Sequence, residues 1–308
     1  MSATACAAVG LFLFNRPDTT QRVFERIRAA RPARLLLVAD GPRADRPGEA
    51  ERCAQARAAA ATVDWPCRVE TNYAEANLGC RRRLSTGLDW IFAQVEEAIL
   101  VEDDCLPEPD FFPFCTELLA RYRDDERVFA VSGNNFLFGR KASVDSYYFT
   151  RYVHIWGWAS WRRAWRHYDV TMARWPALRD GPWLEQELGM PEVADHFRKR
   201  FDAAHAGLDT WDYQWVFSAW LRHGCAIAPE RNLVRNLGVG GDATNTRKAP
   251  VEALATTGPI TFPLRHPRDV AVAVDADRLE ARLLGVSRLT TLQRWQRSVL
   301  KRVGRWPQ

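Results

Sequence analysis

Three consecutive carboxylates, Glu102, Asp103 and Asp104, follow the apolar run 98–101 and precede Pro107, Pro109 and the pair Phe111 and Phe112. An apolar run of this kind reads as a buried strand, so its end gathers three like charges in a small volume. Such a cluster is unfavourable unless a cation or a set of donors neutralises it. Carboxylate oxygens are hard ligands suited to Mg²⁺ or Mn²⁺, ions that commonly share their shell with phosphates. The competing reading is a helix amino terminus, where acidic residues are favoured. It accounts for Glu108 and Asp110, but not for three carboxylates on the strand side.

The elements that must position this cluster are legible upstream. Short apolar runs alternate with helical patterns from residue 7 to about 135, the signature of a parallel α/β sheet. The runs are "AAVGLFLF" (7–14), "RLLLVAD" (34–40), "CRVETNY" (67–73), "AILVEDD" (98–104) and "VFAVSGNN" (128–135). One helix is predicted to open at Pro17-Asp18, with Val23, Phe24, Ile27 and Ala30 on one face; another spans 81–95, with Leu84, Leu88, Ile91, Phe92 and Val95. Ligands of such sheets bind outside the carboxyl ends of the strands. Here those ends are Asn15-Arg16, Asp40-Gly41, the loop 75–79 and the carboxylate cluster, four polar ends on one crevice.

The second half is aromatic, with nine of the 13 tryptophans lying between Trp156 and Trp220. "HIWGWASWRRAWRHYD" (154–169) and "LDTWDYQWVFSAWLRHG" (208–224) both read as helical over most of their length. Most of these rings are expected to pack in the core. Trp156 and Trp158, flanking Gly157 in a turn entering a helix, are the candidates for a platform under a flat sugar face. A short strand "CAIAP" follows Gly224, and the Gly-, Asn- and Thr-rich stretch 232–250 reads as a loop able to close over a ligand. The prolines of 256–269 suggest irregular wrapping.

Composition narrows the function classes. The chain has 308 residues, 47% of them hydrophobic, and a net charge of +5. Seven basic residues lie beyond Glu280 and no acidic one does, so the first 280 residues carry about −2. A nucleic-acid-binding protein more often spreads its basic footprint over the folded body. The tail instead combines arginines with an apolar stripe of Leu289, Leu292, Trp295, Val299, Val303 and Trp306. This suits peripheral contact with anionic lipid as well as it suits a docked terminal helix with a solvated basic face. Seven scattered cysteines without a C-x-x-C pair point to a reduced, cytoplasmic chain with no zinc site. No apolar run approaches the about 18 residues of a membrane span.

With these motifs in order, the chain resembles nucleotide-sugar-dependent glycosyltransferases of the GT-A fold. It is most similar to bacterial family 2-type, hemolysin-like transferases and to the N-acetylglucosaminyltransferase I family, whose acidic motif is also Glu-Asp-Asp followed by a Pro-Asp-Phe-Phe helix start. The likeness covers about residues 7–245. It is strongest at "LVEDDCLPEPDFF", and is supported by "FNRPDTT", "VADGPR", "NLGCRRRLSTGLDWIF", "WGWASWRRAW" and "TWDYQW".

The resemblance implies an α/β Rossmann-like mixed sheet flanked by helices, with a Trp-rich helical acceptor region. It divides into a nucleotide-sugar-binding half (1–145), an acceptor-binding and catalytic half of the same domain (146–250), and a carboxyl-terminal wrap with a basic amphipathic tail (251–308). It further implies that Asp104 binds Mn²⁺ or Mg²⁺ directly, with Glu102 reaching the water shell of the ion and Asp103 near the ribose or sugar of the donor. Asn15, Arg16 and Asp40 would hold the nucleoside, usually uridine, and Asn77-Leu78-Gly79 would lie along the nucleotide. Arg81 or Arg82 would offset phosphate charge, although 81–83 reads equally well as a solvated helix face. Trp156, Gly157, Trp158 and Trp211 would line the acceptor side.

In the inverting members a carboxylate at a helix start in a Trp-Asp pattern accepts the proton of the incoming hydroxyl, which points to Asp212 as the base, with Asp209 capping its helix. The local alternative is that both are capping residues. The implied activity is metal-dependent, inverting transfer from a UDP-type donor to a hydroxyl of a glycan or lipid-linked glycan.

Two departures stand out. Asn245 lies where the bacterial relatives carry a histidine, and the amino terminus lacks the membrane anchor of the eukaryotic enzyme. Rival readings are a catalytically inactive carbohydrate-binding scaffold and a sugar nucleotidyltransferase. The latter lacks its Gly-rich loop, because "FLFNRPDTT" contains no glycine.

Overall fold

The computed structural model describes residues 5–238 and 255–286. The chain runs β1 (Val9–Leu13), α1 (Pro17–Ala30), β2 (Arg34–Ala39), α2 (Glu49–Ala60), β3 (Arg68–Tyr73), α3 (Cys80–Gln94), β4 (Glu97–Glu102), β5 (Cys105–Pro107), α4 (Phe111–Arg121) and β6 (Val128–Ser132). It continues through β7 (Tyr147–Thr150), β8 (Trp158–Trp161), the short helices α5 (Arg162–Trp165), α6 (Trp175–Leu178) and α7 (Trp183–Leu188), then α8 (Pro191–His205), α9 (Asp212–Trp220), β9 (Cys225–Pro229), β10 (Val234–Asn236) and α10 (Val274–Leu283).

Eight strands form one mixed sheet in the order β3-β2-β1-β4-β8-β6-β9-β7, while β10 and β5 make a separate antiparallel pair. The first four neighbours are parallel. The apolar runs of β1, β2 and β4 are continuous because both faces are covered, whereas β3 is a polar, largely exposed edge, and alternate side chains of β4 enter different cores. Ile99 and Val101 join the core with Phe24 and Phe114, whereas Ala98 and Leu100 join Leu88, Ile91 and Trp215. Pro17 opens α1, and Val23, Phe24 and Ile27 are its buried stripe, as its periodicity predicts.

One element departs from expectation. Within 154–169, Trp158–Trp161 is a strand, inserted antiparallel between β4 and β6. Trp158 enters one core and Ala159 and Trp161 the other. The spacing of Trp158, Trp161 and Trp165 imitates a helix, but backbone pairing to two neighbouring strands overrides it. Helix begins only at Arg162. The expectation that the tryptophans mostly pack holds for Trp161, Trp175, Trp215 and Trp220, all essentially fully buried.

Strands from both halves of the chain share this sheet, and α10 docks against β7 through Asp277, whose Oδ1 accepts from Thr150 Oγ1 at 2.6 Å. Among the described residues no helix is long and apolar enough to cross a membrane. The basic tail, Asn245 and most of the Gly-rich loop lie outside the described residues.

Candidate functional site

The parallel register brings the carboxyl ends of β1, β2 and β4 side by side, and with them the polar residues Asn15 and Arg16, Asp40, and the carboxylate cluster. Gly10 pairs with Leu100 and Phe12 with Glu102, so the chain leaving β1 passes directly over the acidic cluster. Phe14 N donates to Asp103 Oδ2 at 2.8 Å. Arg16 Nη1 donates to Asp103 Oδ1 at 3.3 Å and to Asp104 Oδ2 at 2.7 Å. The positive partner that the cluster demands is thus supplied in part by Arg16.

Among the described residues, Arg16 supplies the ion pairs to these carboxylates. Burial, followed by the charge of Asp104, holds Glu102 and Asp103 well above the usual carboxylate range, and Arg16 only partly offsets it. Beyond the cluster, β10 pairs with β5 and directs the chain back over the same point. Leu237 N donates to the Asp104 carbonyl at 2.7 Å. Gly238 lies so close that a Cβ there would sit 2.2 Å from Asp104 Oδ2, room that only glycine leaves.

The end of β2 is organised by Asp40. Its Oδ1 accepts from Gly41 N and Leu78 N, both at 2.9 Å, and its Oδ2 from Asn77 Nδ2 at 3.0 Å. Burial raises the pKa of Asp40 despite these donors. The 75–79 loop packs so closely here that a Cβ on Gly41 would fall 2.4 Å from the backbone of Ala76. Gly79, at φ 79°, ends the loop in a conformation open to glycine.

Helix α3 starts immediately after Gly79, and its first amides are capped from far along the chain. Asp209 accepts from Cys80 N at 3.1 Å and from Arg81 N at 2.7 Å. Asp209 was expected to cap the helix of Asp212; it caps α3 instead. Helix α9 begins at Asp212 without a side-chain cap, and Thr210 Oγ1 donates to Asp212 Oδ1. Burial raises the pKa of Asp212, with the Thr210 hydroxyl and the Tyr213 amide opposing. Asp212 is also among the charges that raise Glu102, so α9 and the acidic cluster share one electrostatic environment.

A single cavity of about 840 Å³ joins these parts. One wall carries Arg16, Asp40, Asn77, Gly79 and the carboxylate cluster; the other carries Phe136, Trp156, Phe197, Trp211, Asp212 and Tyr213. Trp156 is half-buried and meets Phe136 edge-on at 5.6 Å. Trp211 is buried against Trp158, the rings stacked at 5.7 Å.

Asn15, Leu78, Arg81, Arg82, Gly157 and Trp158, all expected at the site, are not on this cavity. Asn15 turns to the side, its Nδ2 donating to Glu49 Oε1 at 2.8 Å, where Arg43 also binds. Arg81 sends its guanidinium to the Val170 carbonyl. Trp158 is core, and Gly157 serves close packing, since a Cβ there would meet Val234 at 2.7 Å. The arginine of α3 that does line the cavity is Arg83, which donates to the Asn72 carbonyl at 2.7 Å. Counting one helical turn from Gly79 selects Arg83 over Arg81. Phe197 and Arg200 on α8, and Glu280 on α10, carried no local signal because their approach depends on long-range packing.

Among the described residues no group of three His, Cys, Asp or Glu side chains is placed to hold a metal ion alone. The donor chemistry nonetheless suits a hard divalent ion that takes most of its shell from a substrate. Asp104 reaches the cavity beside Glu102 and Asp103, and every donor is oxygen.

No family model matches the sequence, and no curated protein matches it. Among solved structures, this chain is similar to UDP-glucose pyrophosphorylase complexed with UDP-glucose, at 8% identity and a TM-score of 0.34, over 73% of this chain and 90% of that one.

Proposed function

We propose that this chain is a nucleotide-sugar-dependent glycosyltransferase that moves a sugar, with inversion, from a UDP-type donor to a hydroxyl of a glycan or lipid-linked glycan. The observation that carries the reading is the meeting of three groups in one cavity: the Asp40–Asn77 strand-end lattice, the Arg16-bridged acidic cluster and the Thr210-oriented carboxylate of Asp212. Asp40, Asn77 and Gly79 bind the nucleoside. Arg16 and Arg83 face its phosphates, and Asp103 faces the ribose or sugar. Asp104, aided by Glu102, would hold Mn²⁺ or Mg²⁺, which when bound supplies charge neutralisation at the departing diphosphate.

Asp212 is the general base. Its carboxylate lines the same cavity as the cluster, and Thr210 donates to one of its oxygens, orienting it to take the proton of the acceptor hydroxyl. Partial burial raises its proton affinity, which helps a base that must hold a proton in the transition state. Trp156 and Trp211 give the acceptor an aromatic wall, and displacement of water by those rings strengthens the charge interactions beneath them.

The test is thermal unfolding of the full chain with UDP, GDP and CMP, each with and without Mn²⁺. Selective, metal-enhanced stabilisation by UDP is expected, since a ligand of the folded form raises its apparent stability. Equal indifference to all three nucleotides would remove the reading.

A further inference from the structure

Resting on that reading, we propose that Arg16 is a built-in counter-cation that closes the acidic cluster to free divalent ions, so that metal entry is conditional on a diphosphate drawing the guanidinium away. Arg16 Nη1 lies 2.7 Å from Asp104 Oδ2 and 3.3 Å from Asp103 Oδ1, a bridge across two of the three carboxylates. Asp104 Oδ2 is also hemmed in by the backbone at Gly238. A cation approaching Asp104 Oδ2 must therefore replace the guanidinium, since the backbone at Gly238 lies against that same oxygen.

A diphosphate changes the balance. Guanidinium matches phosphate geometry as well as it matches carboxylate, and phosphate brings more charge. Arg16 is 24% exposed, on the wall of the same cavity as Asp40 and Asn77, so it can turn to a nucleotide held there without unpacking the core. Its departure returns Asp104 to the cavity with uncompensated charge. Nucleotide and ion then promote one another's binding, and by linkage the effect is equal in both directions.

The experiment measures Mn²⁺ binding to the full chain by loss of the free-ion electron paramagnetic resonance signal, with and without UDP, in wild type, Arg16→Gln, Arg16→Lys and Asp104→Asn. Wild type is expected to bind Mn²⁺ weakly alone and at least tenfold more tightly with UDP. Arg16→Gln should bind Mn²⁺ alone about fivefold or more tightly than wild type, because a competing charge-assisted bond is gone. The same variant should bind UDP alone less tightly, and the nucleotide–metal coupling should shrink.

Arg16→Lys retains the charge and should keep free Mn²⁺ affinity near the wild-type value; it also guards against a folding artefact in the glutamine variant. Unchanged or weakened Mn²⁺ binding by Arg16→Gln would overturn the counter-cation role while UDP-dependent Mn²⁺ binding by wild type left the transferase reading standing. Absence of any UDP effect in wild type, with Asp104→Asn indistinguishable from it, would overturn both.

Discussion

The two walls of the cavity are built on different principles. The strand-end wall is a lattice of short, local connections: Asp40 binds a loop that follows the next strand, and Arg16 binds a cluster on the adjacent strand. The placement of its strand ends is set by sheet register. The aromatic wall is assembled from α8, the start of α9 and the segments either side of β7, and its rings are held mainly by other rings, as in the Trp158–Trp211 and Tyr152–Phe197 stacks. A polar wall placed by register suits an invariant ligand part such as a nucleotide, whereas a wall of packed rings changes specificity by repacking. The Asp209 carboxylate ties the two together, rooted three residues before Asp212 and bonded to the start of α3.

This contrast can be broken at several points. The largest effect belongs to Asp212→Asn, which should lower the transfer rate roughly 100- to 10,000-fold, as expected for loss of a general base, while leaving UDP affinity unchanged by calorimetry. In the wild type the rate should rise with pH as Asp212 ionises. Because burial raises its pKa, the midpoint should lie above the ~3.9 of a free aspartate. A wild-type limb that persists in Asp212→Asn would assign the base elsewhere.

Trp156→Ala is expected to raise acceptor KM about tenfold, or roughly 1.4 kcal/mol, with donor KM unmoved. Equal changes in both would mean that the walls do not divide the substrates as proposed. The smallest effect is for Asp209→Ala, where loss of the α3 cap should cost about 1 kcal/mol in denaturant unfolding. The same change should lower kcat more than it weakens UDP binding, since it frees the 208–212 segment from the strand-end wall. Identical losses in stability and UDP affinity, with kcat unaffected, would make Asp209 a cap alone.

The strand-end wall was legible because its signals are contiguous. Each of β1, β2 and β4 is an apolar run closely followed by polar residues, and parallel order places those residues together. The side-chain directions were less legible. Asn15 occupies a strand end but is claimed by the buried Glu49, whose pKa the Arg43 guanidinium holds near about 2. Arg81 and Arg83 differ by two positions on one helix and so face apart, which a motif alone does not distinguish. The aromatic wall misled most. Trp158, Trp161 and Trp165 fit a helical repeat, yet the first two belong to a strand because β4 and β6 each leave an edge that β8 satisfies. Asp209 was recognised as a cap but assigned to the nearer helix, since its true partner lies 128–129 residues away.

The insertion of β8 has a consequence for how such a protein can be taken apart. A chain cut near residue 145 would leave its first fragment with a raw edge on β4 and with β6 stripped of both its neighbours, β8 and β9, offering unpaired amides and carbonyls to any extended peptide. The two halves of the chain are therefore not exchangeable modules, and recombination with a relative at that seam would have to import β8 and β9 together with the residues they were meant to replace.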